Sequence, residues 1–185
     1  MAGTNRENAE KTKAEAEKRF PNEKWIDVSK AETQIKGING HDDFKGIKVA
    51  YSKILEGDKN TLAKEIRQAK ILKDRGDCVY LLPKAKDGSG KPVKGPDAIL
   101  NGIPFEFKTI TGDIEAVWKR FRKSRAQCDN VYIRITNSHI TEEDVVRKIH
   151  GVLANPNYTG HRNGRLIVYL ENTEKLHSFN ISSLK

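Results

Sequence analysis

PDAILNGIPFEFKTI, residues 96–110, reads as two short arms around Asn101-Gly102. That dipeptide suits a two-residue type I′ turn, whose two central positions both need positive φ. With the turn there, antiparallel register pairs Leu100 with Ile103, Ile99 with Pro104, Ala98 with Phe105 and Asp97 with Glu106. Side chains alternate faces along a strand, so Asp97, Glu106 and Lys108 share one face while Ala98, Leu100, Phe105 and Phe107 line the other. Like charges directly opposite each other destabilise a strand pair, so two acids kept there call for a cation between them or for one raised pKa. A hard divalent ion such as Mg²⁺ accepts two carboxylate oxygens together with waters and a phosphate. The plain alternative is a solvated polar face on which Lys108 neutralises a neighbour.

Upstream of the hairpin, Leu62, Ala63, Ile66, Ala69 and Leu72 recur at helical spacing and Gly76 stops the run, which predicts a helix of about four turns. On its wheel Glu65 falls between Ala69 and Leu72, inside the apolar arc. A buried carboxylate is costly unless it is paired or coordinates something. Glu65 is therefore either a second metal-side acid or the partner of Lys108 or of an arginine on another helix. The run CVYLLPK then predicts a buried strand, followed by the polar loop KDGSGKPVKG. Downstream, DIEAVWKRFRKSRAQ places Ile114, Val117, Trp118 and Phe121 on one face of a second helix. NVYIRI reads as a strand, Thr141–Leu153 as a helix with Thr141 as N-cap and Asp144 at the capping-box position, and RLIVYL as a last strand.

The expected class is α/β (α+β), a mixed central sheet flanked by helices in the order αβββαβ, with a further C-terminal helix and strand. Residues 1–19 are rich in Ala, Glu and Lys and offer no apolar face, so they read as a solvated helix or tether. The stretch from Trp25 to Val49, with Gly37, Gly40 and Gly46, reads as loops with a short strand or two. The expected division is an N-terminal tether and irregular segment over 1–58 and a catalytic domain over 59–185.

Composition narrows the partners. The chain of 185 residues has 34 Lys and Arg against 25 Asp and Glu, a formal net charge of +9, which favours a polyanion. No segment approaches the ~18 consecutive apolar residues of a membrane span, and no signal-peptide pattern opens the chain. Cys78 and Cys128 are too few for a disulfide framework or a cysteine zinc site and read as buried small apolar groups. The five histidines show no HxH, HExxH or Cys/His spacing. His139 or His161 could instead act as general base in a metal-free ribonuclease of barnase or colicin type. A non-catalytic basic nucleic-acid-binding module is the remaining alternative. The Asp97/Glu106 pair argues against it, because uncompensated acids repel phosphate.

Pro96-Asp97, the hairpin and Glu106-Phe107-Lys108 together resemble the PD-(D/E)XK nuclease signature, with Glu65 where members often carry an acid on the first helix. More narrowly, the run from Ala63 to Ile135 resembles the C-terminal tRNase-type toxin domain of CdiA contact-dependent inhibition proteins and related phage or mobile-element modules. It carries LLP, PDAI, FEFK, and Ala126-Gln127 before Asp129-Asn130-Val131. Residues 1–58 and 136–185 lie outside the resemblance. It implies a PD-(D/E)XK-like core and a toxin nuclease acting on RNA, often tRNA, or on DNA. Such a toxin is delivered into the target-cell cytoplasm and neutralised by a cognate immunity protein, expected here to be acidic. In such a site Asp97 and Glu106 would hold Mg²⁺ and Lys108 would orient water or stabilise the transition state, with Gln127 either hydrogen-bonding substrate or water or capping its helix. Lys119, Arg120, Arg122, Lys123 and Arg125, with no acid among them, form a candidate phosphate track. Arg125 falls within the apolar arc of its helix, so it either points towards the sheet or snorkels to the surface.

Overall fold

The computed structural model describes residues 4–31, 35, 38, 41–124, 127–160 and 162–184. The chain forms two compact units, Met1–Pro104 and Phe105–Lys185. Both are α+β with mixed strand pairing. The boundary between them falls inside a strand.

In the first unit, helix α1 (Asn5–Arg19) is followed by strands β1 (Trp25–Asp27) and β2 (Lys48–Ala50), then helices α2 (Tyr51–Glu56) and α3 (Lys59–Asp74). Strands β3 (Val79–Leu81) and β4 (Ala98–Leu100) complete a sheet in the order β1-β2-β3-β4. The β1–β2 and β3–β4 pairs are antiparallel and β2–β3 is parallel. Helix α3 begins where Asp58 accepts the Thr61 N–H at 2.7 Å, and Gly76 beyond its end takes φ +92°. Its stripe Leu62, Ala63, Ile66, Ala69 and Leu72 is buried, as the spacing predicts.

Helix α1 is docked, not tethered. Thr12 and Ala16 are fully buried, Ala16 packs with Tyr80, Leu82 and Ile99, and the Thr12 hydroxyl accepts the Gly102 N–H at 2.9 Å. Two small residues suffice because the helix lies close over β3 and β4, so no broad apolar face is needed. At the turn Asn101 and Gly102 have φ +50° and +84°, the positive pair that a type I′ turn requires. The Asn101 amide ties it down, accepting from Cys78 N at 2.9 Å and donating to Asp77 Oδ1 at 2.7 Å.

Strand β5 (Ile103–Ile110) starts in the last two residues of the first unit and continues as the first strand of the second. Helix α4 (Ile114–Ser124), strand β6 (Val131–Ile135), helix α5 (Glu142–Leu153), and strands β7 (Arg165–Leu170) and β8 (Lys175–Asn180) follow. The β5–β6 and β6–β7 pairs are parallel, with α4 and α5 as crossovers, and β8 returns antiparallel to β7. Helix α5 carries the expected capping box between Thr141 and Asp144. The core of this unit packs Val117 and Phe121 of α4 and Val145 and Ile149 of α5 on Ile133, Ile135, Val168 and Leu170. Among the described α-helices and strands, α2 and β8 are additions to the expected order.

Candidate active site

The parallel register of β5 and β6 decides the setting of the predicted acid and lysine. Glu106 stands opposite Val131, Lys108 opposite Ile133 and Ile110 opposite Ile135. Register partners in a parallel pair share a face. Glu106 and Lys108 therefore lie on the face that Val131, Ile133 and Ile135 present to α4 and α5. The other face carries Phe107 and Tyr132, whose rings meet edge to face at 5.1 Å. Glu106 is fully buried, so a solvated polar face is ruled out for it.

Lys108 Nζ bonds one carboxylate oxygen of Glu106 and reaches Gln127 Oε1 at 3.4 Å. Gln127 follows the C-terminal end of α4, and the helix returns it to the end of the sheet where Glu106 sits. Oε2 of Glu106, also buried, has no hydrogen-bond partner among the described residues. A buried carboxylate oxygen left in that state is costly and is a natural seat for a cation or a substrate donor. Glu106, Lys108 and Gln127, three of the residues expected from the sequence, are thus brought together within the second unit.

Asp97 and Glu65 belong to the first unit. Asp97 immediately precedes β4, and its carbonyl accepts the Leu82 N–H at 2.8 Å. Glu65 is buried on α3, with Oε2 at 2.6 Å from Lys53 Nζ, and it lines a cleft of about 810 Å³ in that unit. Lys53, an ion-pair partner of Glu65, comes from α2. Lys53 carried no motif or periodic signal, so only the fold connects it to Glu65. Among the described residues no three His, Cys, Asp or Glu side chains converge as a metal-binding group. The oxygen donor that suits a hard cation is Glu106 Oε2, and one or two carboxylates with waters are the usual protein share of a Mg²⁺ shell.

On α4, Lys119, Arg120, Arg122 and Lys123 are all exposed, while Arg125 lies outside the described residues. His139 is exposed beyond β6, and His161 is also outside the described residues. Cys78 and Cys128 are not disulfide-bonded to each other and are half-buried where full burial was expected, and burial pushes the Cys78 thiol up. No described helix is long and apolar enough to cross a membrane.

Residues 94–174 match the family model for the contact-dependent growth inhibition CdiA C-terminal domain. The match supports a CdiA C-terminal toxin domain over that stretch, which is less than half of the chain and contains Asp97, Glu106, Lys108 and Gln127. No curated protein and no solved structure matches the chain.

Proposed function

We propose that the chain is a metal-dependent nuclease toxin that hydrolyses phosphodiester bonds, with RNA, and tRNA above all, as its substrate. The observation that carries this reading is the buried Glu106, with one oxygen held by Lys108 and the other without a hydrogen-bond partner among the described residues. Glu106 Oε2 would hold the cation, and the turn-centred register of the sequence adds Asp97 as the second carboxylate. A bound Mg²⁺ supplies Lewis acidity at the scissile phosphate and lowers the pKa of a coordinated water. Lys108 holds Glu106 in place through its ion pair, and its ammonium would stabilise negative charge gathering on the phosphate oxygens. Gln127 faces Lys108 through Oε1, and its amide N–H groups would serve substrate or water. Assignment to the PD-(D/E)XK superfamily belongs to this proposal, as do delivery into the target-cell cytoplasm and an acidic immunity protein covering the cleft or the basic face of α4. RNA as substrate follows from the resemblance to tRNase-type toxin domains.

The test is incubation of the protein with total RNA, purified tRNA and plasmid DNA, with Mg²⁺ and with EDTA. Cleavage of RNA that needs Mg²⁺ and vanishes in Glu106→Gln is the expected result. Cleavage that persists in EDTA, or undiminished in Glu106→Gln, overturns the assignment.

A further inference from the structure

The second unit has a cleft of about 860 Å³ that the chemistry above does not use. It opens where β5 and β6 end, with Asp113 just beyond β5 and His139 just beyond β6. The crevice outside the carboxyl ends of parallel strands is where sheets of this kind receive ligands. Glu106 lies near the start of its register with β6, so on the order of 15 Å of strand separates it from the cleft.

Trp118 and Tyr158 give the cleft an aromatic wall, their ring centroids 5.4 Å apart. Its two acids are already engaged. Asp113 accepts the Ala116 N–H at the start of α4, and Asp144 accepts both the N–H and the hydroxyl of Thr141. Lys148 is paired with Glu115, and Arg147 with Glu143 at 3.2 Å. Arg122 also lines the cleft, is exposed, and makes no salt bridge with any described residue. It stands one helical turn from Trp118, on the same side of α4.

An aromatic wall beside a cation without a salt bridge fits a flat base with a phosphate attached. Lys119, Arg120 and Lys123 extend the positive charge along α4, which runs from the cleft back towards Gln127 and Lys108. We propose that the cleft seats an unpaired nucleobase of the substrate strand against Trp118, with the adjoining phosphate on Arg122. The backbone then follows α4 to the scissile position, and the enzyme acts on single-stranded or looped nucleic acid, not on continuous duplex. This deepens the nuclease reading and rests on it for the direction of the strand.

Binding is measured without metal, in EDTA, by fluorescence anisotropy of a labelled single-stranded RNA and of the same sequence as a duplex, using the whole chain. The single strand should bind at least tenfold more tightly. Trp118→Ala should weaken single-strand binding on the order of tenfold and leave duplex binding unchanged. Trp118→Phe, which keeps an aromatic face and tests for simple misfolding, should retain most of the affinity. AMP should compete at concentrations where inorganic phosphate does not. Equal affinity for the two forms, or Trp118→Ala and Trp118→Phe both binding like wild type, overturns the proposal. So does loss of immunity-protein binding in Trp118→Ala with strand binding intact, since the cleft would then be a protein interface. A failed cleavage assay with these binding results intact removes the nuclease reading alone, and cleavage with no role for Trp118 removes this inference alone.

Discussion

Lys53 Nζ and Glu65 Oε2 lie 2.6 Å apart, with only 11% and 10% of their side chains exposed. Lys53 also donates to the Leu82 carbonyl at 2.9 Å, so one ammonium ties α2 to both α3 and the end of β3. Breaking a buried pair from one side strands a charge, whereas replacing both partners by apolar groups is often neutral. Lys53→Met should therefore lower unfolding free energy by about 3 kcal/mol, and Lys53→Met with Glu65→Leu should recover most of the loss. Urea denaturation of the four proteins in the cycle measures this. A double variant that folds and still cleaves RNA would show that Glu65 has no part in the chemistry.

Asp27 offers a pH test in the same unit. Burial pushes its carboxyl up, but hydrogen bonds from the Ser29 hydroxyl, the Gly46 N–H, Lys48 and the Ser29 N–H outweigh it and hold the pKa below the usual value. A depressed folded pKa gives stability that is fully present above the unfolded pKa of about 3.9 and lost as pH falls through the folded value. Asp27→Asn should melt several degrees lower at pH 7. The gap should close in acid, as thermal scans from pH 7 to pH 2 would record.

The turn that sets the hairpin is intolerant of a side chain. A Cβ at Gly102 would sit 2.9 Å from Lys11 Cβ on α1, at a φ of +84°. Gly102→Ala should destabilise by more than about 1 kcal/mol, from backbone strain together with displacement of α1. Thr12→Val removes the hydroxyl that accepts the Gly102 N–H and should cost about 1–2 kcal/mol. Chemical denaturation of both variants checks the figures, and wild-type stability in each would contradict the docking of α1.

Glu106→Gln and Lys108→Ala should each reduce RNA cleavage by at least about a hundredfold. Metal binding gives a second readout, because an ion that binds the folded state raises the melting temperature. Wild type should melt higher in millimolar Mg²⁺, and Glu106→Gln should lose that increment. An equal Mg²⁺ shift in both proteins would remove Glu106 as a ligand.

The elements readable from the residues alone are those whose local signals agree. Asn101-Gly102 takes its positive φ values, the α3 stripe is buried, and Thr141 and Asp144 close their capping box. RLIVYL forms β7 over its full length, because a continuous apolar run suits a strand with neighbours on both sides. In each case the cause lies within a few residues of sequence.

What lay outside that range depended on contacts between distant segments. KLHSFN has weak alternation and becomes β8 through pairing with β7. Helix α1 shows almost no apolar periodicity, yet the close approach of a sheet buries it at Thr12 and Ala16. Lys53 is one lysine among many until α2 sets it against α3. Residue types and hairpin register singled out Glu106 and Lys108 beforehand, and the family resemblance singled out Gln127. Only the tertiary structure decided that Glu106 is fully buried, with one oxygen unpartnered among the described residues, and that Trp118 and Arg122 border a cleft. Burial depends on what packs over a strand face, and a cleft on how two helices leave a sheet end uncovered. Neither property is carried by the spacing of residues along the chain.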